Sequence, residues 1–343
     1  MNKLNVLITG SGSVYGVAVI QSLIKSKLNL KLIATDTQPY ALGLYLAHHS
    51  YIVPPVKDEQ LYLKRLLEIL RLESIDAIFI ASSQELSFFS RNKALIENEI
   101  KYKVFANPHD VLSICIDKWH TFHFLNEHNF PCPKTIRYPE DIDKMDSFIE
   151  DVGFPFIVKP RHGNGSEDIH LVKDLLYFKQ VISDKKDMIL QQFLPDEQNE
   201  FTVGVCCGTN GKVLSSIALK RQLQDGITIS AISDDYKEIT DYCENVAKIL
   251  KPYGPCNFQL RMWNGKPYIF EINPRFSSST GMRTLLGVNE PEILLKAEVL
   301  QESIPERQIL KASVIRQYTD YLVPTEEIEI LKNKRFVIKD TNE

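Results

Sequence analysis

Pro267-Tyr-Ile-Phe-Glu271-Ile-Asn273-Pro-Arg275-Phe276 is an apolar run that closes on an acid, an amide and an arginine. As a strand of period two it puts Glu271 and Asn273 on one side, where their two oxygens stand together. Oxygen donors suit magnesium, whose octahedron is completed by nucleotide phosphates and water. Pro274 halts the strand, and Arg275 beyond it can face a phosphoryl group held by such a cation. Gln259, in Cys256-Asn-Phe-Gln259-Leu, ends a neighbouring strand-like run and can add a further ligand. An ordinary polar strand exit is the competing reading, but Glu-x-Asn-Pro-Arg is an unusual ending for an apolar run.

Upstream of this stretch, residues 156 to 160, 169 to 172, 188 to 194, 200 to 207, 212 to 220, 227 to 232 and 256 to 262 are short runs separated by turn signals. That density of strands predicts antiparallel sheets with few helices, an α+β arrangement. Within it, Phe156-Ile-Val-Lys159-Pro-Arg-His-Gly163-Asn-Gly165-Ser166 reads as a strand with an inward lysine and a glycine-rich loop. Glycine lets backbone approach phosphate oxygens closely, and a lysine adds a point charge there. A hairpin turn with a solvated lysine fits the same letters.

Residues 1 to 110 carry a different pattern. Leu4 to Thr9, Leu30 to Thr35 and Asp76 to Ile80 are strand-like and alternate with helical stretches from Val17 and from Leu61. Such alternation predicts α/β structure, a doubly wound parallel sheet covered on both faces. Gly10-Ser-Gly12-Ser-Val-Tyr-Gly16 after the first strand is one residue longer than the dinucleotide fingerprint, although Asp36 stands where a ribose-binding acid would. NAD-dependent oxidoreduction is therefore one alternative function. A helix from Lys118 to His128 follows, with Asp117 as its cap, and Pro131 and Pro133 lie beyond its end. Another helical pattern runs from Pro291 to Leu300. Past it, one strand is expected over Ser313 to Tyr318, with a polar, frayed end from Lys332.

Composition bounds the rest. Over 343 residues, 44% are hydrophobic and 24% charged, as in folded soluble proteins, and the length predicts two or three subdomains. A net charge of -4 gives no basic field for nucleic acid. The six cysteines form no C-x-x-C pair and read as reduced, buried thiols, with the adjacent Cys206 and Cys207 in a strand. No run is long and apolar enough for a membrane span, and a cytoplasmic location is expected.

In this order and spacing, the pieces resemble the ATP-grasp superfamily, in particular proteins similar to the large subunit of carbamoyl phosphate synthase. The resemblance rests on the Gly10-x-Gly12 turn, Asp117-Lys118, the strand ending at Lys159, the glycine loop, Gln192-Phe193-Leu194, Glu200 before Phe201-Thr-Val, and Gln259, Glu271, Asn273 and Arg275. It implies a pre-ATP-grasp domain over 1–110, a small lobe with the glycine loop over 111–190, a large lobe with the metal site over 191–305, and a C-terminal extension over 306–343. It also implies that Lys118 and Lys159 contact ATP phosphates beneath Gly163, Asn164, Gly165 and Ser166. Gln192, Phe193 and Leu194 would read adenine, and Glu200 would receive the ribose hydroxyls. Gln259, Glu271 and Asn273 would hold magnesium, two ions in all, with manganese as a substitute.

The chemistry implied is an ADP-forming carboxylate–amine ligation through an acyl phosphate, in which Arg275 and Lys159 are catalytic. Its partners are small carboxylates and amines, and a homodimer is compatible with it. Substrate contacts are expected from Lys220, Arg221, Ser278, Arg283 and Glu85, each of which also reads as a solvated polar residue. A protein that binds ATP without turning it over is the remaining alternative.

Overall fold

The computed structural model describes residues 3–101, 103–163, 168–195, 199–306 and 308–339. Its first sheet has parallel strands β1 (Leu4–Thr9), β2 (Leu30–Asp36), β3 (His49–Ile52), β4 (Ala77–Ile80) and β5 (Lys103–Phe105), in the order β3-β2-β1-β4-β5. Val6, Leu7 and Ile8 in β1 are all buried, as expected for a strand covered on both faces. Helices Val14–Ile24 and Glu59–Glu73 flank this sheet, and each is capped by a side chain, Ser13 accepting from the Gly16 amide and Asp58 from the Leu61 amide.

The small lobe is a four-stranded antiparallel sheet of β6 (Thr135–Tyr138), β7 (Phe156–Pro160), β8 (His170–Val172) and β9 (Met188–Gln192), in the order β6-β9-β7-β8. Phe148, Phe156, Val158, Phe178 and Leu190 form a core of its own. The large lobe is antiparallel β10 (Glu200–Cys207), β11 (Val213–Gln224), β12 (Ile227–Ser233), β13 (Gly254–Trp263), β14 (Lys266–Asn273) and β15 (Ala312–Ile315), in the order β14-β13-β10-β11-β12-β15. Helix Lys237–Leu250 covers one face, burying Ile239, Cys243, Val246, Ala247 and Leu250 at helical spacing. On the other face, helices Thr280–Leu285 and Glu290–Leu294 share a core with helix Val14–Ile24 of the first domain. The parallel domain and the large lobe are therefore bound by a common apolar interior.

The structure differs from the sequence reading mainly near the C-terminus. The predicted strand there is shorter, Ala312–Ile315, and pairs with β12 of the large lobe. Of the segment expected to fray from Lys332, the described part completes helix Thr325–Lys334 and forms β16 (Phe336–Ile338), which adds antiparallel to β3 at the edge of the first sheet; residues 340–343 lie outside the described residues. Apolar contact explains this: Leu331 is fully buried and Phe336 stacks on Tyr51. The helical pattern from Pro291 becomes an α-helix over Glu290–Leu294 and a π-helical turn over Leu295–Val299. All six cysteines are free thiols, five of them buried and Cys132 partly so.

Candidate active site

A cavity of about 460 Å³ lies where the two antiparallel sheets face each other near the glycine turn of the first domain. Its wall carries the side chains of Lys118, Lys159, Arg221, Arg261 and Arg275 against Glu200, Glu271 and Asp168. That surplus of positive charge on a protein of net charge -4 is the local field an anionic ligand requires.

The strand β14 shows how the sequence builds one wall. Asn257 and Gln259 of β13 stand directly opposite Asn273 and Glu271, so the four side chains share a face. The register then slips between Gln259 and Leu260, leaving Phe270 as the extra residue of a β-bulge. Consequently Phe270 and Glu271, consecutive in sequence, both line the cavity. Glu271 Oε1 accepts a hydrogen bond from Asn273 Nδ2 at 3.1 Å, confirming that the two share a side. Asn273 is itself buried and is not on the cavity wall; its Oδ1 accepts from Arg275 Nη2 at 3.0 Å. Arg275 is held by Ser83 Oγ at 2.7 Å, Tyr15 Oη at 3.2 Å and the Phe276 carbonyl at 2.9 Å, and its guanidinium lies 3.9 Å over the Tyr15 ring. Ser83 and Tyr15 belong to the first domain, so this arginine joins that domain to the site.

Lys159 projects from β7 into the cavity and is only 6% exposed. Burial pushes its ammonium down to about 8, against the opposing pull of Glu271. It makes no hydrogen bond to any described residue, and Phe270 lies below it at 5.5 Å. Lys118, first residue of helix Lys118–Glu127, donates through Nζ to the Gly163 carbonyl at 2.9 Å, and burial lowers its pKa as well. Gly163 lines the cavity with φ at +111°, a conformation that favours glycine. Asn164, Gly165 and Ser166 lie outside the described residues.

On the opposite side, Gln192, Phe193 and Leu194 follow β9 along the wall. The Gln192 side chain is engaged, its Oε1 accepting from the Lys134 amide at 3.2 Å, and the Leu194 carbonyl accepts from Arg261 Nη1 at 2.7 Å. Glu200 is clamped by two arginines, Oε1 by Arg221 at 2.7 Å and Oε2 by Arg261 at 2.8 Å. Arg221 also donates to Gln259 Oε1 at 2.8 Å. Arg261 was not singled out from sequence, yet the alternation Asn257-x-Gln259-x-Arg261 carries the signal, since all three share the cavity face.

Several expected substrate contacts are corrected. Arg283 is 1% exposed and off the cavity, paired with Glu290 at 3.0 Å and bonded to Asn257 at 3.1 Å and Thr280 at 3.1 Å. A guanidinium neutralised in this way serves the core and cannot grip a ligand. Glu85 is buried in the first domain, off the cavity wall, accepting from Thr9 and Tyr62 at 2.6 Å each. Burial pushes its carboxyl up to about 7, with Asp36 adding to the shift. Lys220 is absent from the wall, whereas Arg221 and Ser278 line it.

The dinucleotide alternative also fails on geometry. Asp36 accepts from the Gly12 amide at 2.8 Å and the Gln38 amide at 3.0 Å, so it closes the turn on itself. The amides of Ser11, Ser13 and Gly16 are satisfied by Thr35, Gly10 and Ser13. A Cβ on Gly16 would stand 2.5 Å from the Gly10 carbonyl oxygen. The glycines at this turn are explained by close packing.

Comparison with known proteins agrees with this geometry. A model of the PylC-like N-terminal domain matches residues 6–102, one of the RimK-like ATP-grasp domain matches 115–232, and one described as ATP-grasp in the biosynthetic pathway with Ter operon matches 184–319. A formate-dependent phosphoribosylglycinamide formyltransferase of Prochlorococcus marinus subsp. pastoris is 25% identical over 91% of this chain and 80% of its own length. A carbamoyl phosphate synthase large chain of Helicobacter pylori is 24% identical over 58% of this chain and 20% of its own. Among solved structures, N5-carboxyaminoimidazole synthetase from Staphylococcus aureus complexed with ADP aligns with a TM-score of 0.71 at 21% identity. That alignment covers 96% of this chain and 85% of the synthetase.

Proposed function

Because the chain is an ATP-grasp protein, we propose that it is an ADP-forming ligase that phosphorylates a carboxylate and passes the acyl group to an amine or similar nucleophile. The observation that carries this reading is the cavity itself, where Lys118 and Lys159 meet Glu271 beside an arginine anchored in the first domain. We assign domain roles accordingly, with residues 1–110 supplying Ser83 and Tyr15, 111–190 the phosphate lysines, 191–305 the metal and arginine wall, and 306–343 a strap across two sheets.

Among the described residues no three acidic, histidine or cysteine side chains cluster to cage a metal. One carboxylate flanked by amides is instead a donor set that suits magnesium sharing its shell with phosphates. Glu271 is the principal ligand in this assignment, with Gln259 opposite it; Asn273, expected from sequence as a third ligand, lies off the wall with its oxygen held by Arg275 and instead orients Glu271. Magnesium, as two ions and replaceable by manganese, supplies charge neutralisation for the phosphate oxygens when bound.

Lys159 and Lys118 bind and orient the triphosphate, and the Phe193–Leu194 backbone holds adenine against Phe270. Glu200 stands on the wall at the ribose end of this assignment; Arg221 and Arg261 each donate twice to it, so the ribose hydroxyls bind by displacing one of those four hydrogen bonds. A carboxylate oxygen of the substrate attacks the γ-phosphorus as the bond to the ADP oxygen breaks. The amine nitrogen then attacks the acyl carbon, phosphate leaves, and the ammonium proton passes to solvent. Arg275 and Ser278 face the acyl end, where a guanidinium stabilises the developing oxyanion. Positioning and charge do the catalysis, and no side-chain nucleophile is required.

The test is ADP release measured over pairs of carboxylates and amines, with wild type and Glu271→Ala. Turnover that disappears in the variant supports the assignment. Turnover that survives overturns the metal role, and ATP binding without turnover in every pair makes the chain a nucleotide-binding protein.

A further inference from the structure

Lys118 begins a helix and Lys159 lies on a strand of the small lobe, and their ammonium groups repel each other across the cavity. Something must tie the helix start to the strand end. Arg161, two residues past Lys159, is bonded there on every side. Its carbonyl accepts from the Lys118 amide at 3.0 Å and its own amide donates to the Asp187 carbonyl at 2.9 Å. Its guanidinium grips Asp117, the residue before Lys118, through Nε at 3.3 Å and also through Nη2.

Asp117 is buried and caps the helix, accepting from the Trp119 amide at 2.9 Å. Burial alone would raise its carboxyl, but the hydrogen bonds from Arg161 and Trp119 outweigh burial and hold it below the usual range. His120 at 3.6 Å and His162 at 3.9 Å face the same carboxylate, while Glu140 at 3.9 Å and Asp187 at 3.8 Å face the far side of the guanidinium.

Resting on the ATP-binding reading above, we propose that Asp117 and Arg161 are a positioning pair. By clamping helix to strand they set the separation of the two phosphate-binding lysines, and so tune the triphosphate subsite without touching the nucleotide. The argument is one of preorganisation: two like charges aimed at one anion are productive only where the frame prevents their parting.

The test titrates ATP and adenosine, by calorimetry, into wild type, Asp117→Asn, Arg161→Ala and Arg161→Lys. Asparagine preserves the helix cap, so Asp117→Asn removes the ion pair alone. The expected result is about tenfold weaker ATP binding in Asp117→Asn and Arg161→Ala, with adenosine unchanged. Partial recovery is expected in Arg161→Lys, which keeps charge without the fork. Equal losses for ATP and adenosine would make the pair merely structural, and unchanged ATP affinity would overturn it. A wild type that binds neither ligand would overturn the ATP site itself, a result distinct from both.

Discussion

Two regions of this chain look like nucleotide sites in sequence, the Gly10–Gly16 turn and the Glu271–Arg275 strand exit, and they use their polar groups in opposite ways. In the turn, the Gly12 amide donates to Asp36 and the amides of Ser11, Ser13 and Gly16 to Thr35, Gly10 and Ser13, and the neighbouring Glu85 is consumed by Thr9 and Tyr62. At the strand exit, Glu271 lines the cavity and accepts one bond, from Asn273, and Lys159 on the facing β7 has the Phe270 ring beneath it but no hydrogen bond to a described residue. The difference teaches that a binding site is recognised by polar groups whose hydrogen bonds remain unmet, more than by the spacing of glycines.

The comparison breaks most severely if the strand exit carries no chemistry. Arg275→Lys keeps a charge but loses the planar fork that Ser83, Tyr15, Asn273 and the Phe276 carbonyl hold in place. On a productive substrate pair, turnover should fall roughly 10²- to 10³-fold, as when an oxyanion donor is removed. ATP affinity should change little, since the place proposed for the arginine is the acyl end. Steady-state kinetics beside calorimetry separate the two quantities, and a variant that turns over normally sinks the catalytic role.

How much of this could be read beforehand depends on how local the cause is. Period two alone places Glu271 beside Asn273, and a strand with an inward lysine finds Lys159, because both follow from a few consecutive residues. The bulge at Phe270 is not legible, since it arises from the register of β13 against β14. The Arg221–Glu200–Arg261 clamp draws on three strands, and only the sheet order β13-β10-β11 makes them neighbours. Arg283 and Glu85 were misread for the same reason: residue type suggests exposure, while the burying partners, Glu290 and Tyr62, lie on other elements. The strand at Phe336–Ile338 finds its partner in β3, near the other end of the chain.

The turn half of the comparison is sharpened by Gly16→Ala. In an exposed helix this change would stabilise by up to about 1 kcal/mol. Here the new methyl would meet the backbone of Gly10 and Ser11 at 2.5 to 2.9 Å, so the sign reverses. A loss of about 2 kcal/mol is expected from overpacking, read as a lower denaturation midpoint at unchanged m-value. ATP affinity measured on the folded variant should stay within about threefold of wild type, a shift below 1 kcal/mol. Unchanged stability together with lost ATP binding would move the nucleotide to the turn and reverse the comparison.

The smallest effect is one of protonation. Burial has pushed Lys159 down to about 8 in the nucleotide-free protein, so its charge is present at pH 7 and mostly gone at pH 9. A polyphosphate binds the charged form, and affinity should therefore fall about tenfold between those values while binding takes up a proton near pH 8 to 9. Calorimetry in buffers of different ionisation enthalpy measures that uptake. The linkage has the corresponding sign in stability. Between about 8 and the unfolded lysine value of about 10.4, the unfolded chain holds more protons than the folded one, so the free protein gains stability as pH rises. Bound ATP stabilises the ammonium and should remove much of that gain. Replacement by an always-charged side chain, Lys159→Arg, should flatten the affinity profile over the same range. A wild-type profile already flat from pH 7 to 9 would mean that the lysine does not meet phosphate, leaving Lys118 to carry that contact.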